Sequence, residues 1–462
     1  MMVTKKFGLV HIGNDECYGL VFVAGELKRL GHEIKWFDGD AEEVLQEICE
    51  WGPDFICFSP LTTFFKQAVQ LSVNIKQKLP LVRSVFGSYH VLAVPESINL
   101  DGVDIIVRGP VYGTIDKIIS STGKEVFQGS IVPVDKMIPA REEYYKDIPR
   151  MANRHRKYIM SHFGCRFNCS YCSTSNIRNF YGKDVYLNFC LSRRPISELI
   201  KEAKIFLEYP TKEVSLEDDD ILSGLNVEEW LEEFSSTWKK EINLPTYANV
   251  TPSTVTQVSE KTLKILAGLV TSVQMGVQVA RPESLKLFNR TAQHEAIVKE
   301  AYNRLTSVGI RVKMEFIMGL PVDDPVMDAI ESIKMAQRVG AGTFIAAFPL
   351  MLYPGTELTR WCIQSNIPLN DKCELESHTG IGSIKFDPLT TKRITNLTKM
   401  ATMFVKYNIN ERWIKALIDL DLTDQASKQL SECQYLESLT FRQGSEIEKE
   451  FDKILAEMHL KY

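Results

Sequence analysis

Apolar residues along this chain return with two different periods. Short runs rich in Val, Ile and Phe alternate with longer stretches in which apolar side chains recur every three or four positions, the mark of strands alternating with amphipathic helices. In residues 1–125 the runs lie at 7–12, 33–37, 54–58, 81–86 and 104–107. Leu20, Ala24, Leu27 and Leu30 make a helical stripe that stops at Gly31, and Ala68, Leu71, Ile75 and Leu79 make a second. Five strands joined by helices predict a doubly wound, flavodoxin-like (Rossmann-type) parallel sheet. Such sheets bind ligands outside the carboxyl ends of their strands, so the loops after Ile12, Phe58, Phe86 and Val107 form the expected rim.

Residues 126–157 break the pattern. Pro133, Pro139 and Pro149, with the charged run through Arg150, Arg154, His155, Arg156 and Lys157, read as a linker over the next domain, its basic cluster a solvated face rather than a nucleic-acid site. From 158 to 364 the alternation resumes, with strands at 158–161, 213–216, 246–250, 272–277, 311–317 and 343–349 and helices near 196–207, 227–238, 259–267, 295–307 and 325–338. Six strands with crossovers predict a partial (β/α)6 barrel whose chemistry gathers at the strand C-termini. Residues 365–462 read as a mainly helical region, amphipathic near 389–407, 411–419 and 444–459, placed to close the barrel mouth and to carry substrate specificity.

Composition changes this picture little. The 54 basic and 59 acidic residues leave a net charge of −5, which gives no global field for nucleic acid. The longest apolar candidate, 344–353, is interrupted by Pro349 and falls short of the roughly 20 residues a spanning helix needs. With ten cysteines in 462 residues and no secretory leader, the expectation is a soluble protein of the reducing cytoplasm whose thiols are free or metal-bound.

The strongest chemical signal is Cys165-Arg166-Phe167-Asn168-Cys169-Ser170-Tyr171-Cys172, directly after the first barrel strand. A structural zinc site closes with four ligands, whereas a cubic iron–sulfur cluster held by three cysteines keeps one iron free to bind something else. The rim loops of the first sheet are rich in small and polar residues: Ser59-Pro60-Leu61-Thr62-Thr63, Gly87-Ser88-Tyr89-His90 and Arg108-Gly109-Pro110. They let a backbone approach a large ligand, with Ser59, Thr62, Ser88 and Thr114 as hydrogen-bonding groups, although ordinary turn chemistry accounts for any one loop equally well. Cys17, Cys49, Cys57, Cys190 and Cys433 read as inert packing, as do Cys362 and Cys373 unless these two act near the barrel mouth.

The Cys165-x3-Cys169-x2-Cys172 spacing with Tyr171 before the last cysteine resembles the cluster loop of radical S-adenosylmethionine (SAM) enzymes. The upstream sheet, the Gly87…His90…Pro95-Glu96 run, Arg108-Gly109 and Arg193-Arg194-Pro195 resemble the cobalamin-binding branch of that family. The resemblance implies a [4Fe–4S] cluster on Cys165, Cys169 and Cys172, with SAM on its free iron and contacts to SAM from Tyr171, Glu217, Asp218, Asp219, Asn249, Gln278 and Gly319. Glu217-Asp218-Asp219-Asp220 resembles the acidic end of the second barrel strand, which faces the SAM ammonium or ribose; its alternative reading is a helix N-terminus. Gly276-Val277-Gln278-Val279 with Asn289-Arg290 resembles the fourth-strand segment, with Gln278 in place of the usual glutamate. Gly319-Leu320-Pro321 and Tyr353-Pro354-Gly355-Thr356 match the turns after the fifth and sixth strands.

For a corrin the resemblance implies Ser59, Leu61, Thr62, Gly87, Ser88, Tyr89, His90, Arg108 and Gly109. His11-Ile12-Gly13-Asn14 does not fit the Asp-x-His-x-x-Gly sequence that supplies a histidine to cobalt, so Leu61 or Thr62 is the expected neighbour of the lower face; Pro110-Val111-Tyr112 replaces the acidic residues usual after Arg-Gly. The implied activity is C-methylation, a SAM-derived methyl passing through methylcobalamin to an unactivated carbon of a peptide, a protein side chain or a small natural product. A reductant such as flavodoxin or ferredoxin is the implied partner, and no side chain is assigned a catalytic role beyond the cofactors. The implied domains are 1–125 for cobalamin, 126–157 as linker, 158–364 as barrel and 365–462 for closure. A non-methylating radical reaction and a zinc module using His162 stay open as alternatives.

Overall fold

The computed structural model describes residues 4–340, 343–370 and 381–430. Parallel strands need a crossover of a dozen or so residues, and the helical stripes supply it. In the first half the order is β1 (Lys6–Val10), α1 (Tyr18–Arg29), β2 (Glu33–Phe37), α2 (Ala41–Trp51), β3 (Phe55–Phe58), α3 (Phe65–Lys78), β4 (Arg83–Phe86), α4 (Tyr89–Ala93), β5 (Ile105–Arg108), α5 (Ile115–Ser120) and β6 (Glu125–Gln128). These strands form one parallel six-stranded sheet, β2-β1-β3-β4-β5-β6. The flavodoxin-like order of the first five was expected; β6 was not, because Glu125-Val126-Phe127-Gln128 is a short edge strand with both faces half exposed.

Two short helices follow, α6 (Arg141–Asp147) and α7 (Pro149–Ala152), and then the second half: β7 (Arg156–Ile159), α8 (Thr174–Tyr181), α9 (Lys183–Cys190), α10 (Ile196–Phe206), β8 (Glu213–Leu216), α11 (Val227–Glu241), β9 (Thr246–Val250), α12 (Pro252–Gln257), α13 (Glu260–Leu269), β10 (Val270–Gln278), α14 (Pro282–Leu287), α15 (Glu295–Ser307), β11 (Arg311–Met318), α16 (Pro325–Gly340), β12 (Ile345–Pro349) and α17 (Glu357–Gln364). The strands lie in sequence order, β7 to β12, all parallel, as an open half barrel. Last come α18 (Pro388–Lys406), laid on α16 and β12, and α19 (Glu411–Leu417). The amphipathic stretch at 444–459, Cys373 and Cys433 lie outside the described residues. Cys362 is buried among Leu285, Phe288, Leu350 and Leu358, a packing position.

The barrel strands alternate over most of their length, with register shifts in β10 at Val270/Ser272 and Gly276/Gln278. Val214 and Leu216, Ala248 and Val250, Val273, Met275 and Val277, and Val312, Met314, Phe316 and Met318 all enter the apolar core beneath the helices. Their neighbours, Ser215, Tyr247, Asn249, Gln274, Gln278, Lys313 and Glu315, therefore face the lumen of the half barrel.

The stretch 126–157 is less a linker than a wedge. Tyr144, Tyr145, Ile148 and Met151 of α6 and α7 belong to the same buried core as Leu20, Ala24 and Leu27 on one side and Leu199, Ala203 and Phe206 on the other. Gly25 of α1 is pressed so close to the Ile138 carbonyl that a side chain there would collide with it. The basic run is paired as well as partly exposed: Arg150 binds Asp38, Arg154 binds Asp15, Arg156 binds Glu213, and Lys157 donates to the carbonyls of Met151 (2.7 Å) and Ala152 (2.6 Å).

At the centre of the wedge Arg141 is fully buried. Its Nη1 donates to Glu16 of the first sheet's rim (2.7 Å), and its Nε and Nη2 donate to Glu202 of α10 (3.0 and 2.7 Å). Tyr145 donates to the other Glu16 oxygen (2.6 Å), and Arg194 Nη1 lies 2.8 Å from Glu202. Burial alone would raise the Glu202 carboxyl, but Arg194 and Arg141 hold it below its ordinary range. Removing the guanidinium leaves two buried carboxylates short of their partner, a loss of about 3–5 kcal/mol. Arg141→Met is therefore expected to lower the urea midpoint markedly while Arg150→Met, which removes a half-exposed ion pair, lowers it little; equal losses in denaturation curves would show that Arg141 is not the joint.

Candidate functional site

The cysteine loop is held at both ends by side chains and backbone of other elements. Asp218, at the carboxyl end of β8, accepts from the backbone N–H of Ser161 (2.7 Å) and His162 (2.8 Å) and from Ser161 Oγ (2.9 Å), with His162 Nδ1 at 3.1 Å. Arg193 donates to Ser161 Oγ (2.7 Å) and to the carbonyls of Ile221 and Ser223 (2.6 and 2.7 Å), stacked on Trp230. Tyr186 Oη accepts from Cys165 N–H (2.8 Å) and donates to the Cys165 carbonyl (3.1 Å). At the far end Ser170 N–H reaches the Phe288 carbonyl (3.2 Å), and Leu358 N–H reaches the Ser170 carbonyl (2.8 Å).

Between these anchors Cys165, Cys169 and Cys172 come together. Burial and the nearby Asp219 carboxylate push the Cys165 and Cys172 thiols up, the latter to about 11. At Cys169 the Arg290 Nη1 donates to Sγ at 3.3 Å while its Nη2 donates to the Gly276 carbonyl at 2.5 Å. Raised thiols lose their protons when a metal centre binds, and a guanidinium on one sulfur favours the anionic form. Among the described residues no three His, Cys, Asp or Glu side chains form the tight ligand set of a single ion. His162, which a zinc site would need, is held on Asp218. Three thiols with a buried cation on one of them fit an iron–sulfur cluster.

The residues given to SAM separate into two groups. Tyr171 packs on Phe288 (ring centroids 4.4 Å apart) beside Cys169, and Asp219 stands near Cys165 and Cys172. Asp219 is solvent-accessible, yet burial pushes its carboxyl up to about 6, the combination expected of a wall of a deep cleft. Asp218 is instead the strut described above, and Asp220 caps the next turn, accepting from Leu222 N–H (3.0 Å) and Thr254 (2.7 Å). The Asn249 amide is engaged at both ends, donating to the Asp218 carbonyl (3.1 Å) and accepting from Gln274 (3.0 Å). Gln278 sits at a β-bulge with φ +75°, and Gly319 packs under Ile394. Glu217 lies on the lumen face beside Ser215, whose hydroxyl it accepts, and burial pushes its carboxyl up to about 7.

The first sheet's rim faces the same region. Leu61 is 60% exposed, Thr62 is half-buried next to it, and the Ser59 carbonyl accepts from Cys17. A side chain at Gly87 would meet only the Phe58 carbonyl, at 4.0 Å; Ser88 takes φ +94°, a left-handed conformation costly for a non-glycine residue, and its hydroxyl donates to the Pro60 carbonyl (2.6 Å). His90 stacks on Phe65 (centroids 3.9 Å apart), and among the described residues its buried Nδ1 has no hydrogen-bond partner. Tyr89 projects toward the barrel: burial raises its phenol, and Asp219, Cys172 and Cys165 are the charges it senses, although part of its surface stays accessible. Arg108 and Gly109 do something different. Arg108 stacks on Phe180 (4.3 Å) and donates to the Leu92 carbonyl (2.9 Å), and Gly109, at φ +82°, lies under the Tyr181 hydroxyl where any side chain would collide. Both dock the sheet onto α8, the helix that follows the cysteines. His11 is also engaged, with Asp38 and the Asp15 carbonyl each at 2.9 Å.

Arg290, the nearest cation to the thiols, had a signal in the Asn289-Arg290 pair but no assigned role. Tyr186 had none, because nothing in its own helix marks a contact with Cys165.

Residues 159–333 match the Radical SAM superfamily. Along its length the chain is similar to an uncharacterized methyltransferase of Pyrococcus horikoshii, 24% identical over 419 residues, which cover 83% of this chain and 86% of the relative. It is also similar to the hopanoid C-3 methylase of Methylococcus capsulatus, 26% identical over 242 residues, 45% of this chain and 44% of that one. Among solved structures the fold is that of the radical SAM methyltransferase TsrM from Kitasatospora setae, solved with tryptophan and a SAM analogue (TM-score 0.62, 15% identity, 78% of this chain and 76% of that one). It is also that of OxsB, a cobalamin-dependent SAM radical enzyme solved with aqua-cobalamin and SAM (TM-score 0.65, 12% identity, 99% of this chain and 76% of that one).

The raised Glu217 carboxyl gives a sign to pH dependence. Its folded value of about 7 lies above the unfolded value, so between the two the folded state binds more protons and this group's contribution to stability falls as pH rises. In urea unfolding of the cluster-free protein, the stability of Glu217→Gln relative to wild type is expected to improve from about pH 5 to about pH 8, by on the order of 2 kcal/mol. A difference that stays flat over that range would show that Glu217 ionises as an exposed carboxyl does.

Proposed function

We propose that this radical SAM enzyme is a cobalamin-dependent C-methyltransferase, acting on an unactivated carbon of a peptide or protein side chain or of a small natural product. The observation that carries the reading is the position of Tyr89: a rim residue of the first sheet shares its surroundings with Cys165, Cys172 and Asp219, so a ligand on that rim and one on the thiols would meet in one cleft. The pieces fit both groups. Three thiols with Arg290 on Cys169 suit a [4Fe–4S] cluster, and an open Gly87, a strained Ser88, an unpartnered His90 Nδ1 and an exposed Leu61 suit a large ring system over the rim. We assign 1–125 to the corrin, 126–157 to the joint, 158–364 to the barrel and 365–462 to closure, in a cytoplasmic enzyme reduced by a flavodoxin or ferredoxin; no helix among the described residues is long and apolar enough to cross a membrane.

When bound, the cluster with SAM supplies one-electron bond cleavage and the corrin a methyl carrier. The chain's own side chains bind and orient. Arg290 donates to Cys169 Sγ and so would orient that sulfur on the cluster. Asp219 offers a carboxylate to the ammonium of SAM, a charge-assisted contact in a site of low dielectric. Asp218, Tyr186 and Arg193 hold the loop so that the thiols do not drift. Tyr89, on the rim and near Asp219, Cys172 and Cys165, would offer both ligands a neutral phenol, a hydrogen-bond donor that adds no charge to the cleft.

After anaerobic reconstitution, incubation with SAM, cobalamin and a low-potential reductant is expected to give a substrate one methyl group heavier, together with 5′-deoxyadenosine and S-adenosylhomocysteine; a product without a new methyl removes the proposal. Cys169→Ala is expected to lose the broad iron–sulfur absorbance and the methylated product together. Retention of either counts against the cluster assignment.

A further inference from the structure

Helix α8 carries a contact that the cofactor assignments do not use. Its first residue, Thr174, is 8% exposed and follows Ser173, an N-cap residue whose side chain makes no capping bond. A buried hydroxyl there needs partners. Thr174 has two. Its N–H and its hydroxyl both hydrogen-bond the Cys172 sulfur, and the hydroxyl also meets that of Tyr89, the first residue of α4 on the first sheet's rim. Neighbouring contacts fix this meeting from both sides. Helices α4 and α8 pack on one another; Ala93 of α4 and Asn176 of α8 both press on Gly355, and Asn176 donates to the Pro354 carbonyl (2.9 Å). On the cysteine side Ser175 donates to the Cys172 carbonyl through its N–H (3.2 Å) and its Oγ (2.7 Å).

The direction of these bonds follows from their chemistry. A sulfur that ligates iron is anionic and only accepts, so the Thr174 proton points at it; the Thr174 oxygen then has lone pairs alone to offer Tyr89, whose phenol donates. Two O–H groups in line polarise each other, and both turn their positive ends toward the sulfur. A low-potential carrier that reduces the cluster is oxidised by one electron while the cluster goes from 2+ to 1+, its sulfurs become more negative, no proton moves and no bond breaks. Donors on a sulfur favour the reduced form and raise the potential. Tyr89 is 38% exposed, and a ligand covering it displaces water that competes for its hydroxyl and lowers the local dielectric, which strengthens the line. We infer that Tyr89 and Thr174 are positioning residues that relay occupancy of the rim to the cluster, so that a bound corrin makes the cluster easier to reduce. Protein holding the cluster alone then resists reduction, which keeps radical formation from running ahead of the methyl carrier. The inference rests on the cobalamin reading for its corrin arm and on the cluster alone for its Thr174 arm.

Redox titration followed by electron paramagnetic resonance tests this without turnover. The anaerobically reconstituted full chain is titrated without SAM, and the cluster signal is read apart from that of cobalt. In cobalamin-free protein Thr174→Val is expected to lower the cluster midpoint by about 59 mV, a tenfold change in a one-electron equilibrium, and Thr174→Ser to restore it. Loading with hydroxocobalamin is expected to raise the wild-type midpoint, and Tyr89→Phe to abolish that rise while still retaining corrin on gel filtration. Iron content and cluster absorbance equal to wild type check the folding of each variant. A Thr174→Val midpoint at the wild-type value, a wild-type midpoint that ignores retained corrin, or a Tyr89→Phe midpoint that still responds to it overturns the inference. Protein that retains no corrin removes the cobalamin reading and the corrin arm with it, and the Thr174→Val midpoint decides separately whether that hydroxyl acts on the cluster.

Discussion

A single buried guanidinium joins the two halves of this molecule. Arg141 comes from the wedge, Glu16 from the first sheet's rim and Glu202 from helix α10, and the guanidinium between them is the partner the two buried carboxyls share, with Tyr145 also on Glu16 and Arg194 also on Glu202. The relative placement of two sheets is the hardest thing for a chain to specify by apolar packing alone, since one greasy face slides on another at little cost. A forked, fully desolvated ion pair has one good geometry. The cleft between the first sheet's rim and the cysteine loop inherits its width from that geometry, and with it the distance over which two bound ligands could exchange a group.

A second contact makes the coupling closer. Helix α8 begins two residues after Cys172, and its far end receives Arg108 on Phe180 and Gly109 under Tyr181. The loop that holds the thiols is therefore continuous with the surface on which the first sheet rests. A shift of one sheet against the other moves the start of α8 and so the last of the three cysteines.

Much of this was legible from the order of residues. Strand and helix positions in both halves follow from period, because each element buries one face and the apolar residues mark it. The triplet with Tyr171 singled out the candidate cluster loop, since short-range spacing decides whether three sulfurs can share one centre. What could not be seen was the use of individual polar residues. Glu217, Asp218, Asp219 and Asp220 are four consecutive carboxylates with four surroundings: a lumen wall, a strut, a cleft wall and a cap. Arg108 and Gly109 look like ligand-binding residues and dock a helix instead. In each case the partner is a residue far away in the chain, such as Ser161 for Asp218 or Tyr181 for Gly109, and no local pattern announces it. The wedge was misread for the same reason: prolines and mixed charge resemble a solvated linker until the pairs Arg150 with Asp38 and Arg141 with Glu202 are known.

The alternation along the barrel strands divides labour cleanly. Outward residues meet helices and hold the shell; inward residues face the lumen and bind mainly one another, with Asn249 also reaching the Asp218 carbonyl. Substitutions in two such sets add nearly independently when they share no partners. The lumen can be rewritten, one polar residue at a time, while the shell that keeps the cysteine loop in place is left alone. An architecture of this kind separates, along each strand, the residues that keep the shell from those that face the space inside it.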